Sequence, residues 1–166
     1  MRRIVPFVLL LVAVAVLVVQ LRHHPRATTF GRAQVVRVVD GDTIRVRLDG
    51  RTERVRYIGV DTPESVKPGT PVQCYAKRAA AANAALVAGR SVRLVGDVER
   101  RDRYGRLLAY VYRESDGAFV NAQLVRDGYA RTLAIAPNVA HARQFAQLAQ
   151  TARRSGRGLW RACGMG

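Results

Sequence analysis

With 166 residues and a formal net charge of +16, from 28 Lys and Arg against 12 Asp and Glu, the chain is sized for one domain with a real core and is biased toward polyanionic partners, nucleic acid or anionic lipid. All the basic residues except Lys67 and Lys77 are arginine, so part of that surplus is compositional bias and charge alone does not decide the partner. The two cysteines, Cys74 and Cys163, stand in no C-x-x-C or Cys/His spacing; this argues against a zinc site and leaves either two buried thiols or one disulfide.

Ile4–Leu21 carries no charge and is interrupted only by Pro6 and Gln20. A secretory apolar region usually runs ~7–15 residues and ends at a small-x-small site. Here the only such triplet, Ala13–Ala15, sits in the middle of the run. A bilayer span needs ~17–20 apolar residues. Residues 1–22 are therefore expected to be an uncleaved signal anchor, a transmembrane helix, with a cleaved signal peptide as the alternative. Arg2 and Arg3 precede the run and Arg22, Arg26 and Arg32 follow it, which by the positive-inside rule mildly favours a cytoplasmic C-terminal domain. Residues 23–33, with His23 and His24, read as a linker, and residues 34–162 as the folded domain, followed by a short tail at 163–166.

Val35–Val39 reads as a strand, and Ile44–Leu48 alternates apolar and polar as a half-buried strand does. Asp49-Gly50 is a hairpin turn and Thr52–Val60 a third strand, giving an antiparallel meander over 35–60. Residues 61–73 hold three prolines and a glycine and form a loop. The Ala-rich stretch from Cys74 predicts a helix stopped by Gly89. Strands follow at 91–96 and 106–113, separated by a charged loop. A short helix over 119–128 turns Val120, Leu124 and Val125 inward. A last helix, with Asn138 as its expected N-cap, places Phe145, Leu148, Ala149 and Ala152 on one apolar face. Five strands with about three helices predict an α+β fold, a five-stranded Greek-key barrel of the OB type packed by helices.

Asp40-Gly41-Asp42 reads locally as a turn first and as half of a metal site second. A calcium EF-hand is excluded, because the twelfth position from Asp40 is Arg51. Asp61 and Glu64, in "DTPE", read locally as a turn or helix start. Taken with Asp42 they weaken the turn reading, because strand ends of one meander lie side by side and a hard cation takes several oxygens. Arg56 ends the third strand and Arg106 starts a later one; two guanidiniums beside a carboxylate-held cation would clamp a phosphate. Arg100, Arg101 and Arg103 read as a solvated basic loop, with Arg103 and Tyr104 also candidates for substrate contact. Tyr104 reads equally well as a rim-packing residue.

"DGDT" at 40–43, Arg56 five residues before "DTPE" at 61–64, "YGR" at 104–106 and "VNAQLVRDGYA" at 120–130 together resemble the thermonuclease family of staphylococcal-nuclease-like enzymes, in order and spacing, over about residues 35–160. The "GLWRAC" tail at 158–163 is similar to bacterial members. The resemblance implies an OB-type barrel that hydrolyses DNA and RNA with Ca²⁺ and leaves 3′-phosphate ends. It makes Asp42, Asp61 and the Thr62 carbonyl the Ca²⁺ ligands, Glu64 the group that orients or deprotonates water, and Arg56 and Arg106 the phosphate clamp. Asp40 becomes a turn or supporting residue. Related proteins carry cysteines at the places of Cys74 and Cys163, which implies a disulfide, an oxidising space, and a monomeric domain facing outward, tethered or released. The family's aromatic residues after "GYA" are missing here; Ala134 and Ala136 fall near those places. The competing reading is a non-catalytic OB-fold nucleic-acid binder tethered to the membrane, against which the carboxylates speak, because they repel phosphate.

Overall fold

The computed structural model describes residues 28–65, 69 and 71–164; the anchor expected at 1–22 lies outside the described residues. Among the described residues no helix is long and apolar enough to cross a membrane.

Strands β1 (Thr29–Val38), β2 (Thr43–Leu48) and β3 (Arg51–Tyr57) form the expected antiparallel meander. The β2–β3 hairpin closes on Asp49 and Gly50, whose φ values of 48° and 77° are the positive pair that a two-residue loop of this twist requires. After β4 (Gly59–Asp61) and helix α1 (Ala76–Val87), β5 (Ser91–Val95) and β6 (Leu107–Arg113) complete a closed barrel in the order β1-β2-β3-β6-β5. The β3–β6 contact is parallel and β5 returns to β1, so the barrel itself has no open edge strand. This is the five-stranded OB-type architecture.

The barrel interior is built from alternate positions: Ile44, Val46, Val55, Val92, Leu94, Ala109 and Val111 are fully buried. Each such Val, Leu or Ile contributes about 1.5–3 kcal/mol on leaving water. Helix α2 (Val120–Arg126) adds Val120, Leu124 and Val125, and helix α3 (Ala142–Arg154) adds Phe145, both on the faces the sequence predicts. Buried Asn121 joins the layers: its Nδ2 donates to the Ile58 carbonyl at 2.9 Å and its Oδ1 accepts the Val111 N–H at 2.9 Å.

Four expectations need correction. The first strand starts at Thr29, inside the stretch read as linker, because β1 pairs with β5 before it pairs with β2 and its early part is broken by Gly31 and a register shift. The stretch read as one strand over 52–60 breaks at Ile58, and β4 leaves the barrel to pair with an unforeseen short strand, β7 (Arg131–Leu133). The break rests on Gly59, at φ 79°, where a Cβ would collide with the Phe145 ring. Asn138 is not the cap of α3. It is buried, and its amide grips the Glu99 backbone N–H and carbonyl at 2.7 and 2.8 Å, while α3 starts after His141. A fourth helix, the short α4 (Leu159–Ala162), joins the three that were expected, with Cys163 as its C-cap.

Candidate active site

The turn between β1 and β2 divides its two aspartates. Asp40 makes the turn: its Oδ1 accepts the Asp42 N–H at 3.0 Å, and its carbonyl is held by Asn83 of α1 at 2.9 Å. Asp42 is 5% exposed, and both of its carboxylate oxygens accept hydrogen bonds. Its Oδ1 accepts the Thr43 hydroxyl at 3.1 Å, and its Oδ2 accepts both the N–H and the hydroxyl of Thr62 at 2.9 Å. Gly41 permits this closure, since a Cβ there would lie 2.6 Å from Thr62 Oγ1.

Arg56 sits opposite Thr43 on β3. Its Nη1 meets Asp42 Oδ2 at 2.9 Å and donates to the Val60 carbonyl at 2.8 Å, while its Nη2 reaches Asp61 Oδ1 at 3.3 Å. The break after Tyr57 makes this possible, because it folds Val60 and Asp61 back over the guanidinium. Burial pushes the Asp61 carboxyl up; Arg56 opposes that shift, and the Asp42 charge adds to it. Burial and then the Asp42 charge push Asp40 up to about 6. Carboxylates crowded in this way, with oxygen donors only, fit a hard divalent cation. Among the described residues no group of three or more Asp, Glu, His or Cys side chains is placed to hold a metal ion, so such a cation would have to draw much of its shell from backbone, water or substrate oxygens.

Glu64 lies on the loop after β4. Its N–H donates to Gln73 Oε1 at 2.9 Å, and its carbonyl accepts the Gln73 N–H at 3.0 Å. Its Oε1 accepts the Ser65 N–H at 2.9 Å. Gln73 adjoins Cys74, which is bonded to Cys163 across 89 residues of sequence.

Arg106 immediately precedes β6. Its Nε donates to Asp102 Oδ2 at 2.6 Å. Burial pushes the Asp102 carboxyl up, but the Arg106 side chain and the N–H groups of Arg106 and Tyr104 outweigh it and hold the group below its usual range. Tyr104 is 66% exposed, so it is not a packing residue. Its ring lies 4.9 Å from the Arg103 guanidinium and 5.5 Å from that of Arg106. Arg101 is not merely solvated: both its terminal nitrogens pair with Glu53, at 3.0 and 2.9 Å.

Asp40, Asp42, Arg56, Asp61, Thr62, Glu64 and Arg106 thus line one small polar cleft of about 80 Å³. Arg56 and Arg106 also line an adjoining cavity of about 470 Å³, walled by Tyr104, Leu108, Leu133 and Ile135. Leu133 and Ile135, not Ala134 and Ala136, face that cavity, and Ala134 lines a different hollow beside α3. The sequence reading missed Asp102, whose signal was its place four residues before Arg106. It also missed Gln73, for which there was none.

Residues 54–162 match the family described as staphylococcal nuclease homologue. The chain is 41% identical over 127 residues to a thermonuclease of Staphylococcus hyicus, covering 76% of this chain and 74% of that protein. It is 43% identical over 126 residues to a thermonuclease of Staphylococcus intermedius, with coverage of 76% and 74%. It is 42% identical over 126 residues to the endonuclease YncB of Bacillus subtilis, covering 75% of this chain and 59% of that protein.

Proposed function

The chain belongs to the staphylococcal nuclease homologues, and from that premise we propose that it is a Ca²⁺-dependent nuclease cutting DNA and RNA to leave 3′-phosphate ends. One observation carries the reading: two guanidiniums and three carboxylates, Arg56, Arg106, Asp42, Asp61 and Glu64, share one small polar cleft.

Asp42, Asp61 and the Thr62 carbonyl would hold the cation. Bound Ca²⁺ offsets phosphate charge and makes a coordinated water more acidic. Arg56 and Arg106 grip the phosphate oxygens and neutralise the charge that grows on them; removing one group of this kind typically costs ~10²–10³ in rate. Glu64 orients the attacking water and takes its proton. The water oxygen bonds to phosphorus, the P–O5′ bond breaks, and the departing O5′ takes up a proton from solvent water. Tyr104 and Arg103 flank the nucleoside. Leu133 and Ile135 give it an aliphatic wall in place of a stack worth ~1–3 kcal/mol per base.

We also propose that the domain is monomeric and lies outside the cytoplasm, tethered by Ile4–Leu21 or released by its cleavage. The Cys74–Cys163 bond supports that placement, because disulfides persist in oxidising spaces. The test is cleavage of single-stranded DNA by the full chain, in Ca²⁺ and in EDTA, beside Glu64→Ala. Cutting in Ca²⁺ alone, lost in the variant, is the expected result. Binding without cutting leaves a nucleic-acid-binding barrel instead.

A further inference from the structure

The outer face of the meander carries a row of like charges. Arg37 is the register partner of Arg45, and Arg45 that of Arg54, so three arginines stand side by side across β1, β2 and β3. All three are exposed, as is Arg47, one pleat further along β2. Adjacent strands lie about 4.8 Å apart, and like charges directly opposite destabilise a sheet. Among the described residues, no carboxylate pairs with any of these four arginines.

The same barrel shows what neutralisation looks like. Arg32 and Arg93 are also register partners, on β1 and β5. Glu114 meets both, at 2.9 and 3.9 Å. Glu53, the carboxylate on β3, is committed to Arg101. One cross-strand arginine pair is thus compensated and the other row is left bare, at a cost that an unused surface has no reason to carry.

The bare row leads into the cleft. Arg54 and Arg56 are two residues apart on β3 and point to the same side, so their Cα atoms lie about 6.6 Å apart at ~3.3 Å per residue. Thr43, the partner of Arg56, stands in the same relation to Arg45. Val36, displaced where the β1 register shifts, is 49% exposed and offers apolar surface beside Arg37.

We propose that Arg37, Arg45 and Arg54 form a phosphate track that holds the polynucleotide strand beyond the scissile phosphate, so that the enzyme favours long strands over single linkages. The proposal rests on the nuclease reading for its link to cleavage, and on the arginine row alone for binding. A row of cationic side chains on a barrel face suits a single strand, whose backbone it tracks without reading sequence.

The test compares the full chain, the triple variant Arg37→Gln/Arg45→Gln/Arg54→Gln, and a charge-matched control, Arg90→Gln/Arg143→Gln/Arg154→Gln, on other elements. Each is given a 20-nucleotide DNA strand and a dinucleotide with one scissile phosphate, over a range of salt, and 20-mer binding is measured separately without turnover. In the triple variant the preference for the 20-mer should fall on the order of tenfold, and the slope of log affinity against log salt should shrink by about 2, at ~0.7 per phosphate contact. The control should keep both. Arg45→Glu, which gives its two neighbours a counter-charge, should raise the melting temperature while weakening 20-mer binding, which separates lost binding from lost folding. Equal losses in the triple variant and control overturn the track, as does unchanged 20-mer binding. So does a row needed for phosphatidylserine vesicles but not for DNA. If the wild type binds the 20-mer through the row yet cuts nothing, the nuclease reading fails and the track stands as a nucleic-acid surface.

Discussion

The two ends of the cleft are built differently. At one end Asp42 and Arg56 are nearly buried, locked into the β1–β2 turn and the end of β3 by hydrogen bonds of 2.8–3.3 Å. At the other end Glu64 sits half-buried on a loop, and Gln73 holds its backbone N–H and carbonyl. Asp42 and Arg56, proposed to handle cation and phosphate, are part of the barrel itself, whereas Glu64, proposed to handle the water, is attached to it. Substitutions at the first end should therefore damage folding and chemistry together, and substitutions at the second end chemistry alone.

The largest effect is expected at Asp42. Asp42→Ala strands the Arg56 guanidinium beside a single half-exposed carboxylate. Removing one partner of a buried pair typically costs ~3–5 kcal/mol, and losing the cation that Asp42 is proposed to hold, a charge aimed at the reacting phosphate, ~10²–10³ in kcat. Urea unfolding and single-turnover cleavage measure the two losses. Glu64→Ala should match the kinetic loss and leave the urea midpoint near wild type. A Glu64 variant as unstable as the Asp42 variant breaks the contrast between the two ends.

Asp102 comes next. It is the counter-ion that fixes Arg106, and a misplacement of about 1 Å can cost ~10²-fold in rate. Asp102→Ala should lower kcat by roughly ten- to a hundredfold, with Asp102→Asn recovering part of it through the backbone N–H bonds that remain. Its carboxyl is held below the usual aspartate value of about 3.9. The stability it adds is therefore fully present above that value and fades as pH falls through the lower folded value. Acid titration of unfolding should show that fading in the wild type and not in Asp102→Ala.

What the sequence made legible follows the same division. The meander was readable because its side chains alternate and its turn carries Asp49-Gly50, and the groups of the Asp42 end were suggested by strand ends that can lie side by side and given roles by the resemblance to the thermonucleases. The β4–β7 pair was not readable: three-residue strands carry no period, and the break at Gly59 depends on Phe145 arriving from a helix far along the chain. Asn138 looked like a cap because a cap and a loop clamp use the same short polar side chain, and only the fold decides which backbone it meets. Gln73 was invisible for a related reason, since a glutamine in a proline-rich loop has no pattern of its own.

The smallest effect sharpens the contrast most. Gln73→Ala removes the acceptor for the Glu64 N–H but keeps the Gln73 N–H on the Glu64 carbonyl. One net hydrogen bond is worth ~0.5–1.5 kcal/mol. If all of it served to hold Glu64 in place, kcat would fall by no more than about tenfold, because 1.4 kcal/mol is a factor of ten. KM should not move, since Arg56 and Arg106 are untouched. Cys74 is the next residue and ties the same loop to Cys163, so the two restraints share one task. The loss from Gln73→Ala should then grow in a Cys74→Ser/Cys163→Ser background, where both restraints are gone, and residues sharing a function couple in this way. Additive losses would mean that the disulfide acts on overall stability alone and that Gln73 positions Glu64 without it.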